Sequence, residues 1–228
     1  MICQERGPVP SDQNPWLDYI DDTIVWNPLK EVLPLPPARI LDLGCGDGRI
    51  TIRLAGHGFR AIGVDLRGGV GPRVIARGES LPFKAASFDL VILILVLMHV
   101  RSAEQLMREV RRVMKTGSRV LVAVGNRQSF TGLAIRENSP QFLLKRIPYD
   151  YYRSYSKREL DQLLTSEGFK VEELRSATFV PSLISTARPS AVKTLLAFAR
   201  SLEKVLERIP FVRWSGIRLF AIAEAVEV

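Results

Sequence analysis

Residues 40–48 read Ile-Leu-Asp-Leu-Gly-Cys-Gly-Asp-Gly, and this stretch decides the fold. The apolar run predicts a buried strand that ends at Leu43, and the glycines let the backbone turn sharply before a helix begins near Gly48. The Gly-x-Gly-x-Gly spacing is one residue shorter than the Gly-x-Gly-x-x-Gly of dinucleotide-binding folds. Asp42 and Asp47 flank the turn, where two carboxylates would repel a pyrophosphate. The pattern therefore favours a ligand that carries a positive charge and no phosphate.

A further carboxylate, Asp65, ends the next predicted strand, FRAIGVD. At that place an acidic side chain can accept hydrogen bonds from both hydroxyls of a ribose. S-adenosylmethionine combines a ribose with an ammonium and a sulfonium and has no phosphate, so both acidic signals fit it. Two structural alternatives stay open, in which Asp65 only caps its strand and Asp42 only stabilises the turn. Cys45 is expected to fill space and to present its backbone N–H, not to act as a nucleophile.

The composition indicates one folded unit. The chain has 228 residues, of which 46% are hydrophobic and 25% charged; this is enough for one core and too apolar for a disordered or collagen-like chain. Its two cysteines, Cys3 and Cys45, show no metal-ligand spacing, so we expect a reducing, cytoplasmic setting with no disulfide framework and no metal site. Residues 1–16 lack the apolar segment of a signal peptide. The longest apolar run, residues 88–100, is shorter than the ~20 residues of a membrane span, so we expect a soluble protein.

The charge balance is basic. The chain carries 32 Lys and Arg residues against 24 Asp and Glu residues, a net charge of +8. Such a balance favours a polyanionic partner such as RNA. Most of the basic residues are arginines, however, and a high arginine share also accompanies genome composition or growth temperature. Charge alone therefore leaves RNA open as a partner without establishing it.

From Arg39 onward, short β-rich runs alternate with amphipathic stretches, which is typical of βαβ units and a mostly parallel sheet. Helices are predicted at residues 48–56 and 103–115, and another begins after a capping box whose N-cap is Ser156. The run after Asp65, LRGGVGPR, is too short for an ordinary crossover helix.

The same patterns divide the chain. Residues 1–38 are predicted to form an N-terminal helical lid segment with a short helix at 16–25, and residues 39–228 the main domain. Within that domain, residues 178–213 form an excursion before the final strand, and apolar residues at helical spacing predict a helix over 190–209. We expect this excursion to act as a substrate cap.

Several segments together carry a family resemblance. In chain order they are ILDLGCGDGRITIRLA, GVD, ESLPFKAASFDLVI, LVLMHV, LMREVRRVMKTGSRVLVAV and YRSYSKRELDQLLTSEGFKV. They resemble the class I S-adenosylmethionine-dependent methyltransferases of the methyltransferase type 11 group, over residues 39–176. The resemblance implies a three-layer, Rossmann-like α/β fold with a seven-stranded, mostly parallel sheet whose last strand, IRLFAIAEAVEV, is antiparallel. It also implies S-adenosylmethionine as the cofactor and S-adenosylhomocysteine as its product.

The resemblance also assigns contacts with the cofactor. The implied roles are the methionine moiety for Gly44, Cys45 and Gly46, the ribose for Asp65, the adenine face for Leu66, and the adenine edge for Glu79, Ser80 and Leu81. Asp42, beside the cationic end, completes this predicted set. Three features depart from the family pattern: Arg77 replaces an aspartate that accepts from the adenine amino group, Met98 replaces a histidine, and the helix after Asp65 is missing. We still expect the cofactor to bind.

A catalytic base is needed when the acceptor is a hydroxyl, an acidic carbon or a protonated amine. His99, just past the central strand, is the candidate for this role. The alternative is that His99 caps the end of the strand or packs over the cofactor. His57, at a helix end, is expected to be structural.

The acceptor is expected to be a small or lipid-like molecule. Residues 141–155 interleave basic and aromatic side chains, which can grip an anionic aromatic compound, stack on a base, form the lid of a pocket or simply close the core. No Asn/Asp-Pro-Pro-Tyr/Phe motif follows the fourth strand, and no cysteine is available for attack on cytosine C5. An RNA methyltransferase, in particular one acting on tRNA, is the second hypothesis, and a non-catalytic cofactor-binding protein is the third. The oligomeric state stays open.

Overall fold

One mixed sheet forms the centre of the molecule. A computed structural model describes residues 25–68, 71–129, 151–177 and 216–227. The seven strands of these residues are β1 (Arg39–Leu43), β2 (Arg60–Asp65), β3 (Arg73–Ile75), β4 (Phe88–Ile94), β5 (Met114–Gly125), β6 (Phe169–Ala177) and β7 (Arg218–Ala225). They lie in the order β3-β2-β1-β4-β5-β7-β6, with β7 antiparallel to both of its neighbours and the first five strands parallel. The predicted seven-stranded sheet with an antiparallel last strand is confirmed.

Helices cover both faces of the sheet. They are α1 (Asn27–Lys30), α2 (Arg49–Gly56), α3 (Ala103–Val113) and α4 (Lys157–Ser166), with a short 3-10 helix at Leu97–His99. One core cluster joins α3 and α4 to one face of the sheet, and a second joins α1 and α2 to the other. This is the predicted three-layer α/β arrangement.

β4 holds the middle of the sheet because its sequence, FDLVILI, is apolar on both faces. Leu90 and Ile92 belong to the core cluster of α1 and α2, whereas Val91 and Leu93 belong to the cluster of α3 and α4. All four side chains are fully buried. Burial of each contributes about 1.5–3 kcal/mol, so β4 stabilises both layers at once.

The predicted capping box begins α4. The Ser156 Oγ accepts a hydrogen bond from the Glu159 N–H (3.3 Å), and the Ser156 N–H donates to the Glu159 Oε2 (2.8 Å). The helix ends at Ser166, and Gly168, with a φ of +83°, turns the chain into β6. The local signals at both ends of this helix therefore act as the sequence predicts.

The start of β5 differs from its sequence prediction. The helix predicted over residues 103–115 ends at Val113, and the strand begins directly after it at Met114. Met114 pairs with Phe88 of β4, but the next pair is Arg119 with Leu90, so the register shifts between them. The additional residues of β5, 115–118, lie within this register shift. Pairing with β4, which is distant in sequence, therefore decides where β5 begins.

The connection between β2 and β3 is short, as predicted. β3 pairs parallel with β2, although only residues 66–72 join the two strands. A parallel crossover usually takes a dozen or more residues. A connection this short leaves no room for a crossover helix, and the strand that it leads to, β3, is only three residues long.

Ala177, the last residue of β6, lies next to Gly216, two residues before β7 begins. The Gly216 N–H donates to the Ser176 Oγ (3.3 Å). A Cβ on Gly216 would lie 2.6 Å from the Ala177 carbonyl oxygen. The two ends of this excursion are therefore in direct contact, which a side chain at position 216 would prevent.

Some predicted features lie outside the described residues. They are most of the helix at 16–25, positions 141–150 of the basic and aromatic segment, and the substrate cap at 178–213 with its helix at 190–209. Within the part of the chain that the structure describes, no helix is long and apolar enough to cross a membrane. No group of three or more His, Cys, Asp or Glu side chains is placed there to hold a metal ion.

Candidate functional site

The glycine turn joins β1 to α2 at the carboxyl edge of the sheet. The N–H groups of Gly44 and Cys45 both donate to the Val64 carbonyl of β2, at 2.6 and 3.1 Å. Gly44 has a φ of +75°, and a Cβ there would overlap the side chain of Val96, which follows β4. Only glycine satisfies both conditions, so the turn packs closely between the ends of two neighbouring strands.

Asp65 is fixed beside this turn, at the carboxyl end of β2. Its Oδ2 accepts from the Gly46 N–H (2.9 Å), and its Oδ1 accepts from the Arg67 N–H (3.0 Å). A carboxylate oxygen has more than one lone pair, so both oxygens can also accept from ligand hydroxyls. Leu66, next in the chain, exposes 65% of its surface. The structure thus brings Gly46, Asp65 and Leu66 together at the edge where open α/β sheets bind ligands.

Asp42 lies beneath the turn and not at its surface. It is only 2% exposed, and its Oδ2 accepts a hydrogen bond from the Thr51 hydroxyl of α2 (2.6 Å). Burial raises the pKa of Asp42 to about 6, against the opposing effects of the Thr51 hydrogen bonds and the positive charge of Arg73. Asp42 therefore anchors α2 under the turn, and its contact with the cofactor stays a prediction.

The Cys45 thiol fills a confined space under the turn. A Cβ on Gly63 of β2 would lie 2.6 Å from the Cys45 Sγ. Burial, together with the negative charge of Asp42, raises the pKa of the Cys45 thiol to about 11. The thiol is therefore protonated at neutral pH, a state that suits a space-filling residue and not a nucleophile.

The turn that follows β3 is held from the side by α3. The Ser80 N–H donates to the Arg77 carbonyl (3.2 Å), and the Leu81 N–H donates to the Glu109 Oε1 (2.7 Å). The Leu81 side chain is buried in the core beside α3, whereas Ser80 is exposed and Glu79 partly exposed. Of the three residues predicted at the adenine edge, two reach the surface and Leu81 supports them from below. Their adenine contacts stay predictions.

His99 ends the 3-10 helix that follows β4. Its Nδ1 lies 3.1 Å from the Tyr151 carbonyl oxygen, which can only accept, so the proton is on Nδ1 and the lone pair on Nε2. Burial lowers the pKa of His99, the hydrogen bond to Tyr151 raises it in part, and the positive charge of Arg218 lowers it further. The ring is therefore neutral at pH 7, as a proton acceptor must be. The same hydrogen bond suits the structural alternative, so the geometry accommodates both predicted roles.

A wall of backbone stands beside His99. Residues 151–155, which we call the edge wall, cross the carboxyl edge of the sheet, where the Tyr155 N–H donates to the Gly125 carbonyl of β5 (2.9 Å). A Cβ on Gly125 would lie 2.6 Å from the Tyr152 Oη, so the glycine lets this tyrosine stand over the end of β5. The Tyr152 and His99 ring centroids are 5.8 Å apart. This part of the basic and aromatic segment therefore borders the predicted base.

Arg218 also lies at this edge, although sequence patterns assign it no role. It is the first residue of β7 and pairs with Gly125 of β5. Its positive charge lowers the pKa of His99. It also lowers the pKa of Tyr152, against the larger, opposite effect of burial. Arg218 therefore lies near both residues. The only signal in the sequence is one arginine at the start of the apolar run IRLFAIAEAVEV. Such a residue looks like an ordinary exposed strand end until the fold places it.

The two sides of the candidate site are connected. Val96, which packs against Gly44, belongs to the same short segment as His99. The turn with Asp65 and Leu66 lies on one side of that segment, and the edge wall lies on the other, because β4 stands between β1 and β5 in the sheet. A ligand bound at the turn and an acceptor at the wall would therefore be neighbours along one edge.

Comparison with known proteins gives consistent matches. The family model described as "Methyltransferase domain" matches residues 25–174. A ubiquinone biosynthesis O-methyltransferase of Hahella chejuensis is 27% identical over 189 residues, which cover 73% of this chain and 74% of that protein.

Solved structures share the fold. A SAM-dependent methyltransferase of Thermotoga maritima superimposes with a TM-score of 0.61 at 20% identity, covering 91% of this chain and 89% of that one. The 1,6-didemethyltoxoflavin-N1-methyltransferase of Burkholderia thailandensis, solved with its substrate and S-adenosylhomocysteine, gives a TM-score of 0.55 at 18% identity, with coverages of 84% and 72%. At such identities the likeness shows the fold.

Proposed function

The chain belongs to the family of methyltransferase domains and is an S-adenosylmethionine-dependent methyltransferase, and we propose that its acceptor is a small or lipid-like molecule. S-adenosylmethionine is its cofactor. The observation that carries the acceptor proposal is the partly buried group of His99, Tyr152 and Arg218 at the carboxyl edge of the sheet.

The residues at the glycine turn fit the cofactor. Gly44, Cys45 and Gly46 would hold the methionine moiety, Asp65 the ribose hydroxyls and Leu66 the adenine face. In support, Asp65 is held at the carboxyl end of β2 by two backbone N–H groups, and Leu66 offers an exposed apolar surface directly beside it. Exposed leucine next to a fixed carboxylate suits a ligand with a flat apolar ring on a sugar.

On the acceptor side, the protein supplies position and a proton acceptor. When bound, the cofactor presents a methyl group already activated by its sulfonium. His99 takes the acceptor's proton at Nε2, because its Nδ1 proton is committed to the Tyr151 carbonyl. The edge wall excludes water from one side of this group and limits how the acceptor can approach.

The described basic residues argue for a small acceptor over RNA. Several described arginines pair with carboxylates of the same chain and are therefore less free to line a phosphate backbone. Among these pairs are Arg108 with Glu167, Arg112 with Glu109, Arg119 with Glu172, and Arg175 with Glu31. A group of three arginines on α3 lies near Thr116, at the start of β5. This is the amino edge of the parallel strands, opposite the candidate site. The net charge of +8 thus gives little support to an RNA surface beside the methyl-transfer site.

Calorimetric titration with S-adenosylmethionine tests the cofactor site. Wild type should bind, and Asp65→Ala should bind about tenfold more weakly or worse, because two hydrogen bonds to a charged acceptor are lost. Asp161→Ala, which removes an exposed carboxylate on α4, is the matched control and should bind as wild type does. Absent binding to wild type would overturn the proposed function. Unchanged affinity in Asp65→Ala would overturn the ribose assignment alone.

Methyl transfer from labelled S-adenosylmethionine tests the acceptor class. The protein should label the low-mass or lipid fraction of a cell extract and leave bulk tRNA unlabelled. His99→Gln should slow this labelling by about 10²–10⁴-fold without changing cofactor affinity, if Nε2 is the base. His57→Gln, at the exposed end of α2, is the control and should have no effect. Labelling of tRNA, or salt-sensitive tRNA binding in a gel shift, would replace the small acceptor by RNA.

A further inference from the structure

Arg218, at the edge of the sheet, has no counterion among the residues that the structure describes. Its Nε is fully buried, and neither a hydrogen bond nor an ion pair to its guanidinium is found among the described residues. Burial lowers the pKa of Arg218, which reflects the cost of holding a positive charge away from water. The other arginines of neighbouring strands differ, because Arg119 on β5 and Arg175 on β6 pair with glutamates.

The sheet register places Arg218 beside the predicted base. Arg218 and Gly125 are strand partners, and side chains of paired residues lie on the same face of an antiparallel pair. The Tyr152 Oη stands over Gly125 on that face, and the Tyr152 ring is next to His99. Arg218, Tyr152 and His99 therefore lie together at the carboxyl edge.

Among the described residues of this group, the Arg218 guanidinium is the one charged side chain. A guanidinium presents its N–H groups as a planar fork that matches an oxyanion, above all a carboxylate, through two parallel hydrogen bonds. Neutral His99 and the neutral Tyr152 hydroxyl supply no negative charge to balance it. An anionic ligand would offset the desolvation cost that the folded chain leaves at Arg218.

We propose that Arg218 binds an oxyanionic group of the methyl acceptor and so selects acidic acceptors over neutral ones. This inference rests on the proposed function and deepens it, because it names the chemical class of the acceptor. Binding of the anionic group to Arg218 holds the acceptor against the edge wall, with the atom to be methylated turned toward His99. Arg218 is a specificity-determining residue in this account, and His99 remains the proton acceptor.

Calorimetry with simple probes tests this selection. The protein is saturated with S-adenosylhomocysteine, so that no turnover occurs, and is titrated with benzoate and with benzamide, its uncharged counterpart. Wild type should bind benzoate more tightly by about tenfold or more, the usual effect of a hydrogen bond to a charged group. Arg218→Met should bind both probes equally weakly. Arg175→Met, which removes an arginine already paired with Glu31, should keep the preference.

The outcomes separate this inference from the proposed function. Equal binding of the two probes by wild type, or a preference that survives in Arg218→Met, would overturn the role of Arg218 while cofactor binding still supports a methyltransferase. Failure of wild type to bind S-adenosylhomocysteine would overturn both. Arg218→Lys keeps the positive charge but not the planar pair of N–H donors, so it should weaken benzoate binding and leave the affinity for S-adenosylhomocysteine unchanged. If Arg218→Met does not fold, this second variant tests the role of Arg218.

Two further titrations identify the oxyanion. Titration with inorganic phosphate in place of benzoate shows whether the site prefers a tetrahedral or a planar oxyanion. The proposal is supported if either anion binds more tightly than benzamide does. Displacement of benzoate from wild type by bulk tRNA would assign Arg218 to an RNA phosphate and overturn the small acidic acceptor.

Discussion

Replacing Asp42 by asparagine should stabilise the protein at neutral pH. The Asp42 carboxyl is almost fully buried under the glycine turn, where one oxygen accepts from the Thr51 hydroxyl. Asparagine offers an oxygen to the same hydroxyl but carries no charge to desolvate. The variant therefore keeps the hydrogen bond from the Thr51 hydroxyl, loses the one from the Thr51 backbone N–H, and removes the larger cost of burying a carboxylate.

The size and sign of the effect follow from the pKa. Burial raises the pKa of Asp42 from 3.8 to about 6, a shift that corresponds to about 3 kcal/mol at 1.36 kcal/mol per unit. Between these two values the unfolded chain has lost a proton that the folded chain retains, so the free energy of unfolding falls as pH rises. The cost is absent below the lower value and complete above the higher one. Wild type should therefore lose up to about 3 kcal/mol of stability between pH 4 and pH 7 through this one group.

Urea unfolding at a series of pH values measures the difference between wild type and Asp42→Asn. The two should be similar near pH 4, and the variant should become more stable as pH rises to 7. Asp161→Asn, which removes the charge of an exposed carboxylate on α4, is the control and should follow wild type. A stability difference that is independent of pH, or a variant less stable than wild type at pH 7, would refute the reasoning.

Other expected outcomes concern the turn, the helix cap and the thiol. Gly44→Ala should abolish folding or cofactor binding, because its Cβ overlaps a valine side chain. Gly46→Ala has open space and should lower the free energy of unfolding by only about 1–2 kcal/mol, because of its positive φ. Equal decreases for the two variants in urea unfolding would contradict this. Ser156→Ala should lower the free energy of unfolding by about 1 kcal/mol, since α4 loses its N-cap, and an unchanged urea midpoint would count against the capping box. In a Cys3→Ser background, Cys45 should react with iodoacetamide at pH 8 much more slowly than a free cysteine, because burial raises its pKa to about 11. Mass spectrometry follows the reaction. A rate like that of free cysteine would show that the thiol is accessible.

The fold is largely predictable from this sequence because its main signals are local. The apolar run of β4, the glycine turn and the capping box at Ser156 each determine structure within a few residues. The start of β5 is different. Met114 becomes a strand residue because it pairs with Phe88, and no pattern near Met114 contains that information.

The candidate site divides in the same way. The sequence places Asp65 and the glycines correctly at one edge, since both follow strands whose parallel order the pattern predicts. It does not show that Asp42 points into the core or that the Leu81 N–H is engaged by Glu109, because both depend on helices that pack from elsewhere. Arg218 is missed for the same reason, since its neighbours come from β5 and from the edge wall.

The contact between Gly216 and Ala177 makes the excursion between them an exchangeable module. The two ends of this segment meet at one point of the sheet. A longer or shorter segment between them would therefore leave the spacing of the strands unchanged. The entropic penalty for lengthening a closed loop grows only slowly with its length. Segments of different length can therefore join these two residues while the glycine turn, on the other side of β4, stays as it is.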